Sequence, residues 1–207
     1  MDLSRLNKEQ QEAVKHMEGP LLILAGAGSG KTTMMTHRIA YMLEKGVSPY
    51  NILAVTFTNK AAGEMKDRIE SLTGGTRGMW VMTFHAMCVR ILRNHGEVLG
   101  FKNGFSIYDE SDKKALLKRI VKDLKIDEKI YPVSYLGSVI SSCKEAEEDP
   151  DDYIENNSMN FKAETVAKVY ARYMEDLQQN NAMDFDDLLV KAFELLSKYP
   201  DVLAKYQ

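Results

Sequence analysis

The feature that most constrains this chain is the run Ala25-Gly26-Ala27-Gly28-Ser29-Gly30-Lys31-Thr32, which stands between an apolar segment and a helical pattern. The apolar segment, Leu21-Leu22-Ile23-Leu24-Ala25, has no polar alternation, as expected of a strand buried on both faces of a parallel sheet. The helical pattern puts Met35, Ile39, Met42 and Leu43 on one face, and Gly46 and Pro49 end it. A strand that runs through a glycine-rich turn into a helix N-terminus lets backbone N–H groups converge on phosphate oxygens. This is the Walker A context, in which Lys31 reaches β- and γ-phosphates and the Thr32 hydroxyl coordinates Mg2+. The motif opens on Ala25 rather than Gly, at the point where the strand is only just ending. It points to nucleotide binding, and alone it does not separate a kinase, a GTPase, a transporter subunit and a helicase.

The flanking elements give the fold class. Residues 52–57 read as a second strand. Asn59 is a candidate cap for a helix with Ala62, Met65, Ile69 and Leu72 on its apolar face, closing at Gly74-Gly75. Residues 81–83 are another strand candidate, followed by a helix through Leu92. This β-α-β-α-β-α order predicts an α/β domain with a parallel sheet and helices on both faces. Near Tyr108 the pattern changes, and helix periodicity continues to about Asn181. Leu116, Leu117, Ile120, Val121 and Leu124 mark one helix, and Val166, Val169, Tyr170, Tyr173, Met174 and Leu177 another. The acidic stretch 145–152, which holds Pro150, reads as a loop. A last helix over 185–196 runs into Tyr199-Pro200.

Charge and cysteine content narrow the setting. The formal net charge is −3, but residues 1–108 carry 13 basic and 9 acidic side chains against 14 and 21 in residues 109–207. A mildly basic half can track phosphates in an acidic protein, because binding follows the local patch; random scatter gives the same asymmetry. Cys88 and Cys143 stand far apart without a second pair, which disfavours a zinc site and fits a reduced compartment. The polar start MDLSRLNKEQ and the absence of a membrane-length apolar run predict a cytoplasmic protein.

Three further segments carry a resemblance. They are Leu6-Asn7-Lys8-Glu9-Gln10, Ala54-Val55-Thr56-Phe57-Thr58-Asn59-Lys60-Ala61-Ala62 and Thr83-Phe84-His85-Ala86-Met87-Cys88. With the phosphate loop, they make the chain similar to superfamily 1A DNA helicases of the UvrD/PcrA/Rep type, over nearly its whole length. The resemblance implies a P-loop NTPase (RecA-like) motor domain over 1–108 and 183–207, with an inserted all-helical subdomain over 109–182. It implies that Gln10 hydrogen-bonds adenine, as an amide offering donor and acceptor together can. Asn7 and Gln10 also have the spacing of a capping box. Phe57 would stack on a base of single-stranded DNA, with Thr56 and Asn59 at the backbone; as an aromatic ending a strand, it equally fits core packing. Thr83 and His85 would contact phosphate or sugar, although a lone His is more often a surface or helix-end residue. Asp184-Phe185-Asp186-Asp187-Leu188 resembles a later motif whose aromatic, Phe185, faces the DNA path, while Asp184 is also a good N-cap.

The resemblance also implies partners and departures. ATP and Mg2+ would be bound by Gln10, Ala25, Gly26, Ala27, Gly28, Ser29, Gly30, Lys31, Thr32 and Thr33. The macromolecular partners would be single-stranded DNA, the duplex junction and the remaining motor domains. Thr33 stands where the family commonly has an adenine-stacking Arg, and Arg38 lies over a turn further on. No apolar run ending in a Walker B Asp follows the loop; in the family that strand begins shortly after the position of Gln207. The chain is therefore expected to be an N-terminal piece of a 3′→5′ helicase or translocase, with negligible hydrolysis alone. Lys113, Lys114, Lys118 and Lys122 share one helix face, read first as solvated and second as a duplex contact. Two other classes remain. A phosphate-loop kinase or GTPase is opposed by Asn59-Lys60-Ala61-Ala62, which lacks the Asp of NKxD. A non-catalytic nucleic-acid-binding module with a degenerate loop is opposed by intact Lys31-Thr32.

Overall fold

The structure, a computed structural model, describes residues 1–26 and 28–207. The chain forms two compact units, Met1–Met87 and Cys88–Gln207. It is mixed α/β with parallel strands, as the element order predicts.

In the first unit, Asn7 starts α1 (Lys8–Lys15), and α2 (Lys31–Glu44) follows the glycine-rich loop. Leu6, Val14 and Met34 form a small core between these helices, and Arg38 Nη1 donates to the Ala13 carbonyl at 2.6 Å. Strand β1 (Leu53–Thr56) pairs in parallel with β2 (Trp80–Thr83), with Leu53 opposite Trp80 and Thr56 opposite Thr83. Parallel neighbours need a crossover, here α3 (Asn59–Thr73). Ile39 of α2, Ile52 and Ala54 at β1, and Met65 and Ile69 of α3 make the core. Thr58, not Asn59, caps α3: its hydroxyl accepts from the Ala61 N–H at 3.1 Å, and Asn59 is the first helical residue. Gly74, at φ 79°, ends the helix in the left-handed backbone that only glycine adopts without penalty.

Residues 21–25 depart from expectation. They form no strand, and Leu22 and Leu24 are 83% and 87% exposed while Ile23 packs half-buried on the α1–α2 core. A continuous apolar run becomes a doubly buried strand only when neighbours cover both faces and bond both edges. Among the described residues, no strand bonds this run.

Helix α4 (Phe84–His95) follows β2. In the second unit, β3 (Ser106–Tyr108) pairs in parallel with β4 (Ala182–Asp184). Between them lie α5 (Glu110–Asp123), α6 (Val133–Glu145), α7 (Pro150–Asn156) and α8 (Ala163–Gln179). Leu116, Leu117, Ile120 and Val121 of α5 meet Leu136 and Ile140 of α6 and Val166, Val169 and Tyr173 of α8 in one core. Met174, expected on this face, is partly exposed. The acidic stretch is not all loop. Helix α6 runs through Glu145, and Pro150 begins α7 behind the Asp149 cap, which accepts from the N–H groups of Asp151 and Asp152. Proline suits a first helical turn, where its missing N–H is not needed. Helices α9 (Phe185–Lys198) and α10 (Pro200–Leu203) complete the unit.

One ionic contact ties α5 to α8. Asp176 accepts from Arg119 Nη2 at 2.9 Å and from Arg172 Nε at 2.8 Å. Burial pushes its carboxyl up, but the two guanidiniums outweigh this and hold it below the ordinary value of about 3.8. Its contribution to stability is therefore complete above that value and is lost as pH falls through the lower folded value. Asp176→Asn should lower stability at pH 7 and flatten the acid limb in urea melts recorded from pH 7 to 3. An unchanged acid limb would contradict this assignment.

Candidate nucleotide and single-strand site

The loop before α2 takes its shape from glycine. Gly28 (φ 74°) and Gly30 (φ 83°) are left-handed, and a Cβ at Gly30 would stand 3.0 Å from Gln10 Nε2. Lys31 opens α2 and folds back over the loop, its Nζ donating to the carbonyls of Ala25 and Gly26 at 2.7 Å each. The Ser29 hydroxyl donates to the Gly26 carbonyl at 2.7 Å. Thr32 is exposed in the first turn of α2. Ala27 lies outside the described residues.

Both arrangements open to Gln10 involve its amide, and its local bonds are plain. It completes a capping box: its Oε1 accepts from Asn7 N at 3.0 Å, and its N–H donates to Asn7 Oδ1 at 2.8 Å. Its Nε2 also donates to the Ser29 carbonyl at 2.9 Å, so α1 is joined directly to the phosphate loop. A cavity of about 320 Å3 lies there, lined by Gln10, Ala13, Leu24, Ala25, Lys31 and Met34. Thr33 is half-buried, and its hydroxyl lies 3.5 Å from Arg68 Nη1. Arg38 is committed to the Ala13 carbonyl.

The end of β1 presents an aromatic surface. Phe57 is 86% exposed, which rules out core packing, and its ring lies 5.4 Å from that of Phe84, tilted by 38°. Phe84, between Thr83 and His85 in the sequence, is marked out only by its exposed ring beside Phe57. Thr56 is half-buried at the strand end and Asn59 exposed at the helix start. Thr83 is buried, and its hydroxyl accepts from the Ala86 N–H at 3.2 Å, so here it caps α4. His85 is half-buried in the first turn of that helix.

In the second unit, Asp184 caps α9 in a reciprocal box with Asp187, and Phe185 is the half-exposed first helical residue. Lys113 is not part of a solvated row: it is 6% exposed and its Nζ lies 2.8 Å from Asp186 Oδ2. Lys114, Lys118 and Lys122 are exposed. Among the described residues, no His, Cys, Asp or Glu cluster could hold a metal, and no helix is long and apolar enough to cross a membrane.

A glycine-rich loop opens into the N-terminus of α2 beside a cavity, and the parallel strands and helices around it make this a mixed α/β protein with a phosphate-type loop. The family model for the UvrD/REP helicase N-terminal domain matches residues 6–207, and the chain belongs to that family. The ATP-dependent DNA helicases PcrA of Staphylococcus aureus (strain NCTC 8325 / PS 47) and Staphylococcus epidermidis (strain ATCC 12228 / FDA PCI 1200) are each 48% identical to it over 208 residues. These alignments cover 99% of this chain and 28% of each relative.

Proposed function

We propose that this chain is the ATP- and single-stranded-DNA-binding part of an ATP-dependent 3′→5′ DNA helicase or translocase acting in the cytoplasm. The observation that carries the reading is the loop itself: left-handed Gly28 and Gly30 lead into α2, where Lys31 Nζ is held among loop carbonyls. Among the described residues its partners are exposed backbone carbonyls, which an ammonium can exchange for phosphate oxygens that pair charge with charge. Thr32 would hold Mg2+, which supplies charge neutralisation at the phosphates. Gln10 reads adenine by exchanging its Ser29 bond for the base edge. Thr33 lines the same turn without the stacking surface an Arg would provide.

Phe57 forms the single-strand contact, with Thr56 and Asn59 beside it. Thr83 uses its remaining hydroxyl proton and His85 its ring, and in the second unit Phe185 is a single-strand contact of its own. Residues 1–108 and 183–207 make up the motor domain and 109–182 an inserted helical subdomain. The parallel pairing of β3 with β4, which brings residues 106 and 182 together, supports that division. Helicase action involves the duplex junction and the remaining motor domains, and hydrolysis by residues 1–207 alone is negligible. Steady ATP turnover by this chain, lost in Lys31→Ala, would contradict that statement. The family match does not favour a kinase or GTPase.

Single-strand binding supplies the direct test. Phe57→Ala should weaken binding of a fluorescent oligothymidylate by about 1–3 kcal/mol, roughly 5- to 150-fold, if the ring stacks on a base. Phe57→Trp should retain binding, because any π-face serves. Equal affinity in all three proteins would remove Phe57 from the DNA path.

A further inference from the structure

The motif Asp184-Phe185-Asp186-Asp187 sets three carboxylates next to one aromatic residue in the chain. Unpaired, they would repel the phosphates of any strand stacking on Phe185. None is unpaired. Lys144 Nζ of α6 sits between Asp184 Oδ2 at 2.8 Å and Asp187 Oδ1 at 2.7 Å, and the Tyr173 hydroxyl of α8 donates to Asp184 Oδ2 at 2.8 Å. On the other side of Phe185 in the chain, Asp186 Oδ2 accepts from Lys113 Nζ of α5 at 2.8 Å and from the Ser141 hydroxyl of α6 at 2.6 Å. Lys113 and Ser141 also bond each other at 2.6 Å. The residues before and after Phe185 are thus each held by two side chains from α5, α6 and α8.

A helix terminus ordinarily frays. A stacking ring, in contrast, is effective only when its direction is set in advance. We propose that Lys113 and Ser141 are positioning residues for Phe185, fixing the first turn of α9 so that the ring is presented to an unpaired base. This rests on the reading of Phe185 as a single-strand contact. The lysines have a second effect, since their two charges offset two of the three carboxylates in an acidic turn that a phosphate backbone would otherwise avoid. Lys113 is nine-tenths buried, and Asp186 Oδ2 and Ser141 Oγ are the partners that hold it there.

The test uses the 207-residue chain and an oligothymidylate carrying one 2-aminopurine, whose emission reports stacking. Phe185→Ala defines the contribution of the ring to affinity and signal. Lys113→Met should weaken binding about 3- to 10-fold and reduce the 2-aminopurine change in the same sense. Lys113→Met strands the Asp186 charge and lowers the unfolding midpoint. The double variant Lys113→Met/Asp186→Leu carries no orphan charge, so its midpoint should recover while the single-strand defect and altered emission persist. Lys118→Met, exposed on the same helix, should leave the emission change intact. Wild-type affinity and emission in the double variant, with Phe185→Ala defective, would overturn the positioning role alone. A Phe185→Ala protein that binds and emits like wild type would overturn the DNA contact on which it rests.

Discussion

Lys31→Ala should weaken ATP binding by this chain about 10- to 150-fold, while the fold is preserved. Charge-assisted hydrogen bonds contribute about 1.5–3 kcal/mol each, and the ammonium is the only side-chain cation that opens α2. The residue is exposed and its present partners, the carbonyls of Ala25 and Gly26, are equally exposed, so its removal strands no buried group. The thermal midpoint without nucleotide should therefore hardly move. The stabilisation by saturating ATP and Mg2+ should disappear. Titration of a fluorescent ATP analogue measures the affinity, and a melt with and without nucleotide measures the linkage. If Lys31→Ala bound ATP with wild-type affinity, the phosphate-loop assignment would fail. Lys31→Arg is expected to recover little, because a planar guanidinium does not replace a compact ammonium inside a tight loop.

Lys144→Met should have the largest effect on stability. Lys144 is 5% exposed and serves Asp184 and Asp187 together, while burial pushes the Asp187 carboxyl above its usual range. The same burial acts on Asp184, but the Lys144 charge and hydrogen bond outweigh it and keep that carboxyl low. Removing one partner of a buried ion cluster typically costs about 3–5 kcal/mol, because the remaining charge has nowhere to go. The expected result is a drop in the unfolding midpoint on the order of 10 °C. Adding Asp184→Asn and Asp187→Asn to Lys144→Met should restore part of the loss. A thermal melt followed by far-ultraviolet dichroism separates the three proteins. A near-neutral Lys144→Met would mean that water or a neighbouring cation compensates the pair.

The limits of sequence reading fall at identifiable residues. The glycine turn and the helix start behind it were legible because their determinants are local: glycines where φ is positive, then Lys31 at the first helical position. Helices α5 and α8 were legible for a related reason, since their buried residues recur with the helix period. Helix α6 shows Val133, Leu136, Ile140 and Cys143 inside, but serines interleave them and dilute the signal. The α3 cap moved by one residue, from Asn59 to Thr58, because both types can cap and only backbone geometry selects between them. Lys113 was placed on a solvated face because its partner Asp186 is 73 residues away.

Taken by itself, the sequence determined the helices with a clear apolar period (α2, α3, α5, α8 and α9), the glycine turns beside them, and that Lys31 stands at a helix start behind a glycine-rich loop. These depend on each residue's backbone preferences and near neighbours. Tertiary structure decided the rest. It left Leu22 and Leu24 in solvent despite the composition of a buried strand, since a ladder needs a partner that local preference does not supply. It turned Phe57 outward beside Phe84, although aromatics at strand ends usually pack inward. It closed Asp184, Asp186 and Asp187 onto lysines from distant helices, because buried charges are stable only where chain topology brings their counter-charges within bonding distance.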